Sequence, residues 1–316
     1  MTSLTRRMLF AVAGTVISAL AMSAASAQDR AVRIGIQKYG KLILLKSRGT
    51  LEKRLAGIGY TVSWAEFPAG PQLLEALNAG AVDFGNAGEA PPIFAQAASP
   101  ELVYVANEPA APRGEAILVP KDSPIKTLAD LKGKKIALNK GSNVHFLLVK
   151  ALEKAGIGYA EVHPVFLTPA DARAAFEKGA VDAWAIWDPF QAAAEAATAA
   201  RTIATGEGLV ANHQFYLSSR KFAAENPKAV EAIIEELRDV DRWVKADPDA
   251  AAAQLSASTG IPASVLVVAL ERQAYGILPI TDEAVKAQQT IADTFHSLGL
   301  LPKPIRVADA IWRAGS

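Results

Sequence analysis

Of the 316 residues, 33 are basic, 32 are acidic and none is cysteine. So even a charge balance excludes a nucleic-acid surface, which needs a basic excess. The missing thiols exclude a disulfide framework, a lipid-modified anchor and cysteine-based zinc sites. With 51% hydrophobic residues, the chain is long enough for one large or two medium domains with substantial cores.

Residues 1–27 read as a secretory signal peptide. Arg6-Arg7 precede an apolar run from Met8 to Met22, and Ala25-Ser26-Ala27 supplies the cleavage point. The run of 15 residues is too short to span a bilayer. Thr5-Arg6-Arg7-Met8-Leu9-Phe10 also resembles a twin-arginine export signal. Either route delivers a mature chain of 289 residues, with a formal charge of −1, to the periplasm as a soluble protein.

Val32 to Ile36 predicts a strand, Leu42 to Leu55 a helix and Val62 to Phe67 an alternating strand. Gln72 to Leu77 predicts a helix and Val82 to Phe84 a short buried strand. The same order recurs with a strand at Lys135 to Leu138, a helix at Phe146 to Lys154 and a strand at Glu161 to Leu167. A helix at Ala170 to Lys178 and a strand at Ala183 to Ile186 complete the second series. Two short motifs mark the repeat at an offset of 99 residues: Ala56-Gly57-Ile58-Gly59-Tyr60 against Ala155-Gly156-Ile157-Gly158-Tyr159, and Gly80-Ala81-Val82-Asp83 against Gly179-Ala180-Val181-Asp182. Alternating strands and helices make an α/β chain with two similar lobes, each a parallel-dominated sheet flanked by helices. Gly57, Gly80, Gly156 and Gly179 are placed to close helices as C-terminal caps.

Beyond Val210 the pattern turns helical, at Pro227–Lys245, Asp249–Ala257, Pro262–Ala274 and Asp282–Leu298. This tail has no partner copy and is expected to pack on the first lobe. Glu115 to Val119 and Gln214 to Leu217 are the expected crossings between lobes, which makes a hinge of two segments. The division is then 28–116 with 216–316 as lobe 1, and 117–215 as lobe 2.

Ligands on such sheets bind beyond the carboxyl ends of the strands, where helices begin. Unpaired N–H groups and the positive end of the helix dipole make those corners anion sites. The corners here are Pro68-Ala69-Gly70-Pro71, Gly88-Glu89-Ala90-Pro91-Pro92 and Gly141-Ser142-Asn143. Ser142 or Asn143 can serve as a helix cap alone or as a cap that also touches an anion. Asp188 before Pro189 has the same two readings, and Glu89 is either a loop residue or a pocket residue. Trp184 belongs to the core, whereas Trp187 can form an apolar wall. Gln37 and Gln72 are uncharged donors at a strand end and a helix start. His145, His163, His213 and His296 show no metal-ligand spacing, and no hydrolase elbow or P-loop is present.

Several stretches resemble motifs of one family. They are Glu66–Gln72, Pro91–Ala97, Ser123–Gly133, Leu167–Arg173 and Val181–Pro189. The family is the aliphatic-sulfonate-binding proteins, periplasmic receptors of ABC importers, and the resemblance covers nearly the whole mature chain. It implies a two-lobed type II periplasmic-binding fold. Such a monomer closes on a small organic anion and delivers it to a membrane permease for sulfur uptake, with no catalysis and no cofactor. Backbone amides at Gly70, Gly88 and Gly141, with Gln37, Ser142 and Asn143, would then bind the sulfonate oxygens. Trp187 would cover the tail, while Glu89 and Asp188 orient donors or meet an ammonium group. The sequence departs from the family pattern at Glu89, where aspartate is usual, and at Asn143-Val144, where serines are usual. Receptors for taurine, nitrate or bicarbonate share the architecture, as does an enzyme of thiamin-pyrimidine synthesis that relies on a cysteine-rich motif.

Overall fold

The structure, a computed structural model, describes residues 30–313. The expected signal peptide, 1–27, lies outside the described residues. The chain opens with β1 (Arg30–Ile36), α1 (Lys41–Arg48), α2 (Thr50–Ala56), β2 (Tyr60–Glu66) and α3 (Gly70–Asn78). It continues with β3 (Phe84–Gly88), α4 (Pro91–Ala98) and β4 (Leu102–Asn107). A second series follows: β5 (Glu115–Val119), β6 (Lys135–Leu138), α5 (Asn143–Lys154), β7 (His163–Phe166), α6 (Pro169–Glu177), β8 (Ala183–Trp187), α7 (Phe190–Thr198) and β9 (Arg201–Thr205). Then come β10 (Gln214–Ser219) and the helices α8 (Arg220–Glu225), α9 (Pro227–Ala246), α10 (Pro248–Thr259), α11 (Ala263–Glu271) and α12 (Asp282–Ser297).

Two five-stranded sheets result among the described residues, ordered β2-β1-β3-β10-β4 and β7-β6-β8-β5-β9. The two orders are the same once the copies are aligned. β1 runs parallel to β2 and β3, and β6 parallel to β7 and β8. The one antiparallel strand of each sheet is the strand by which the chain enters it from the other: β10 beside β3 and β4, and β5 beside β8 and β9. Both expected crossings, Glu115 to Val119 and Gln214 to Leu217, are therefore strands that stitch one sheet to the other.

The repeated aspartate explains why the two copies share a geometry. Asp83 Oδ2 accepts from the Arg33 amide at 2.9 Å, and the Asp83 amide donates to the Arg33 carbonyl at 2.7 Å. In the second copy Asp182 makes the same pair with Lys135, at 2.7 and 2.8 Å. Each aspartate thus fixes the third strand of its lobe against the first. The preceding Gly80 and Gly179 take φ of +70° and +68°, the left-handed conformation that ends a helix on glycine.

Local sequence misleads at five places. The expected helix 42–55 is two helices, because Gly49 adopts φ +62° and turns the chain. Gly57 stays right-handed at φ −61°, and the left-handed turn falls on Gly59 at +83°. β3 begins at Phe84 and runs through Gly88, so Gly88 belongs to a strand end rather than a loop. A 3-10 turn at Tyr159–Glu161 shortens the strand expected from 161, and the helix expected to reach 274 stops at Glu271.

The helical tail packs on the first sheet as expected. Val230, Ile233, Leu237, Val240 and Val244 of α9 are at most 1% exposed, against Leu42, Leu45 and Leu51 of α1 and α2. Each such side chain is worth roughly 1.5–3 kcal/mol of transfer free energy. Leu73 seats α3 on the bare faces of two strands. A Cβ on Gly35 or Gly85 would lie only 2.8 or 2.6 Å from its side chain. That close approach aims the first turn of α3 at the ends of β1 and β3.

An ion cluster ties the tail to the strand ends. Lys41, 2% exposed, donates to Glu108 Oε2 at 2.5 Å and lies 3.2 Å from Asp241 on α9. Tyr216 donates to the other oxygen of Glu108 at 2.6 Å. Lys41→Met would leave two buried carboxylates without their cation, a loss of about 3–5 kcal/mol. Urea denaturation should show this as a lower midpoint with an unchanged slope.

Candidate functional site

The strand ends and helix starts of the two sheets line a common cleft. From the first sheet come Gln37 after β1, Gly70 at the start of α3 and Gly88 at the end of β3. From the second come Ser142 and Asn143 at the start of α5, with Trp187 and Asp188 after β8. These seven expected residues meet in one place. Gln72, Glu89 and Gly141 do not reach the cleft wall.

Several expected donors are already committed. The Gly141 amide donates to His145 Nδ1 at 3.2 Å, so it is not free for an anion. Because Nδ1 accepts there, Nε2 carries the ring proton and donates to Tyr159 Oη at 2.7 Å. Burial, reinforced by Lys140, pushes the His145 pKa down to about 4, which keeps the ring neutral. The ring is a brace for the Gly141 corner. Ser142 does not cap α5; its hydroxyl turns back and donates to the Asn139 carbonyl at 2.7 Å. Gln37 Nε2 donates to the Asn86 carbonyl at 3.0 Å, across the ends of neighbouring strands. Glu89 lies behind the wall, 1% exposed, where its Oε2 accepts from the His213 amide at 3.0 Å.

Asn143 crosses the cleft. Its Nδ2 donates to Asn212 Oδ1 at 2.5 Å, and its Oδ1 lies where a Cβ on Gly88 would come within 1.8 Å. Only a glycine at 88 lets the second sheet's helix approach this closely. Around the crossing, the helix-start amides that precede the first intrahelical bonds remain: α3 bonds from Leu73 N onward and α5 from His145 N onward.

Asp188 caps α7 from two residues before its first residue, Phe190. Oδ1 accepts from the Ala192 amide at 3.0 Å, and the Asp188–Pro189 bond is cis. Sequence reasoning missed its partner. Arg272, just past the end of α11 and with no motif around it, lies 3.5 Å from Asp188 and 2.7 Å from Glu195. The pairing joins the helical tail to the second sheet across the cleft mouth. Burial raises the Asp188 pKa to about 6, against the pull of Arg272. Tyr39, Asn86, Phe190 and Asn212 also line the cleft, and Phe190 meets Trp187 edge-on with ring centroids 6.4 Å apart. Only a strand-end position could have flagged Tyr39 and Asn86. Among the described residues no group of three or more histidine, aspartate or glutamate side chains could hold a metal ion.

Two α/β halves of identical strand order, stitched by two crossing strands over a cleft that both line, define a two-lobed solute-binding fold. The chain belongs to the NMT1/THI5-like family, whose family model matches residues 63–251. It is 43% identical over 305 residues to an aliphatic sulfonates-binding protein of Escherichia coli (strain K12), covering 96% of this chain and 95% of that one. The alkanesulfonate-binding protein SsuA from Xanthomonas axonopodis pv. citri, solved with MOPS bound, superposes with a TM-score of 0.85 at 43% identity, over 90% of this chain and 98% of that one. The periplasmic aliphatic sulphonate binding protein SsuA from Escherichia coli gives 0.82 at 43% identity, over 91% and 93%. The desulfurization enzyme DszB shares the fold alone, with a TM-score of 0.64 at 16% identity over 89% of this chain and 96% of that one.

The raised pKa of Asp188 carries a sign. The folded protein holds this proton up to about pH 6, whereas an unfolded chain releases it near 3.8, so stability falls as pH rises between those values. The loss is roughly 3 kcal/mol at most. Denaturation curves from pH 3.5 to 7 should show this component in the native sequence and lack it in Asp188→Asn.

Proposed function

We propose that this protein is a periplasmic receptor that closes on an aliphatic sulfonate and delivers it to the permease of an ABC importer. The observation that carries the reading is the crossing of Asn143 onto Gly88, which brings helix starts from opposite sheets to one point. Relatives of high identity over nearly the whole chain bind sulfonates, which supports the same ligand class here. In this reading 28–116 with 216–316 form one lobe and 117–215 the other. The lobes swing about the segments that lead into β5 and β10, and the receptor acts as a monomer.

A sulfonate is a permanent monoanion whose three oxygens only accept hydrogen bonds. The first-turn amides of α3 and α5 give uncharged donors for those oxygens. Arg272 supplies the positive charge, leaving Asp188 and Glu195 to follow the anion when the cleft closes. Trp187, Phe190 and Tyr39 cover the organic tail. Micromolar affinity needs about −8 kcal/mol. Spread over a ligand of roughly eight heavy atoms, that nears the limit of about −1.5 kcal/mol per atom for the best small ligands. An open groove rarely reaches that density of contact, whereas burial between two lobes does. The ligand then selects the closed state, which the permease recognises. The lack of cysteine removes the motif on which the related biosynthetic enzyme depends.

Thermal shift on the mature protein tests the ligand class, with alkanesulfonates of rising length, taurine, sulfate, nitrate and bicarbonate. A sulfonate at a hundred times its Kd should stabilise the protein by about 2.7 kcal/mol. Stabilisation by nitrate or bicarbonate but by no sulfonate would contradict the reading. Arg272→Ala should weaken sulfonate binding at least tenfold in calorimetry, the scale of one charge-assisted hydrogen bond. Asn143→Leu should do the same by occupying the helix start with an apolar group.

A further inference from the structure

Beneath the Asn143 crossing lie two glutamates that the anion reading does not use. Gly88 and Gly114 line the cleft, and each is followed directly by a buried carboxyl, Glu89 at 1% and Glu115 at 0% exposure. Glu115 stands at the first position of β5, paired with Trp187 of β8. Neither of its oxygens has a hydrogen-bond partner, and Oε1 of Glu89 has none either. Of the two cations that line the cleft, Arg272 is committed to Asp188 and Glu195 and Lys38 lies 3.8 Å from Glu66, while Lys41 behind it serves Glu108 and Asp241.

A bare carboxylate buried without donors costs several kcal/mol, and a group so placed takes a proton instead. Two such groups close enough to repel each other cannot both be charged. Burial and Glu89 together drive the Glu115 pKa well above the usual range, and burial raises that of Glu89 against the pull of the His213 amide. The charge of His213 also pulls the Glu89 pKa down, and Gln288 on α12 donates to the Glu89 backbone carbonyl at 2.8 Å and to Tyr104 Oη on β4 at 3.1 Å. On the far side of Glu115 the Asp188 amide donates to the Gly114 carbonyl at 2.9 Å, while the Asp188 carboxyl turns to the Ala192 amide and Arg272. His213 contributes its ring as well, with Nδ1 2.9 Å from the Glu108 carbonyl.

We propose that Glu89 and Glu115 form a proton-holding floor under the anion site, so that capture of the anion takes up a proton there; this rests on the anion-receptor reading above. A negative headgroup over the two glycines would be repelled by a carboxylate beneath them and accepts a neutral carboxyl. Anion and proton therefore raise each other's affinity by the same factor, as linkage requires. Binding strengthens as pH falls and weakens by up to about tenfold per pH unit above the pKa of the floor.

Titration calorimetry tests this with the panel anion that stabilises the protein most. Measurements at pH 7.5–9 in two buffers of different ionisation enthalpy count the protons taken up. Asp188→Asn, measured in parallel, separates any proton that Asp188 takes up when Arg272 leaves it for the anion. The native protein should take up as much as one proton per anion, and Glu89→Gln/Glu115→Gln should take up none and bind with nearly flat pH dependence. Zero uptake at every pH, or an equal count in the double variant, would overturn the proposal while leaving the receptor reading intact. The carboxyl carbon resonance of Glu115, assigned through Glu115→Gln in the ligand-free protein, gives an independent measurement. A neutral carboxyl at pH 7 is expected, and a carboxylate there would overturn the proposal whatever the ligand. A protein that binds no anion of the panel would overturn the receptor reading and the proton coupling together.

Discussion

Asn143 can lie across the cleft because residue 88 has no side chain. That contact joins the start of α5 to the end of β3, and the rest of the site follows from its geometry. It pins the Gly141 corner against the first lobe, where the His145 ring meets Phe295 at a 49° tilt with centroids 5.3 Å apart. At the rim, Arg272 just past α11 reaches Asp188 and Glu195, a second link between the two halves.

The cleft is built from charges that are costly to bury and are therefore paired. Lys41 stands between two acids, and so does Arg272. Such arrangements add little net stability but hold their members in fixed geometry, because an unpaired ion inside is much worse than a paired one. In the proposed reading Arg272 differs from Lys41 in changing partners: at 16% side-chain exposure it sits at the edge of the cleft, where the incoming anion would replace one of its two carboxylates. Lys41, at 1%, has no such freedom and serves the fold.

Much of this was legible in the sequence because it depends on backbone. The repeated Gly-Ala-Val-Asp motif encodes a left-handed turn and a strand anchor, and both copies use it alike. The crossing strands β5 and β10 begin at Glu115 and Gln214, again 99 residues apart, and hold equivalent places in the two sheets. Seven of the ten expected site residues line the cleft because strand ends and helix starts fix where a ligand can approach. Side-chain commitments were not legible. Nothing in Gly141-Ser142 announces that the amide is taken by His145 or that the hydroxyl turns back to Asn139. Arg272 lies 84 residues from Asp188 in the chain, and no local pattern marks it. Gly49 also splits a helix whose apolar spacing reads as continuous, since periodicity does not record a single left-handed residue.

The proposed capture depends on an anionic headgroup sitting where helix starts from the two lobes converge. A crystal structure of the mature protein with an alkanesulfonate bound measures this directly. The sulfur atom should lie between Gly70 and Gly88 on one side and Asn143 on the other, with Arg272 turned toward the headgroup. A ligand seated on one lobe only, or outside the cleft with Asn143 still lying over Gly88, would contradict it.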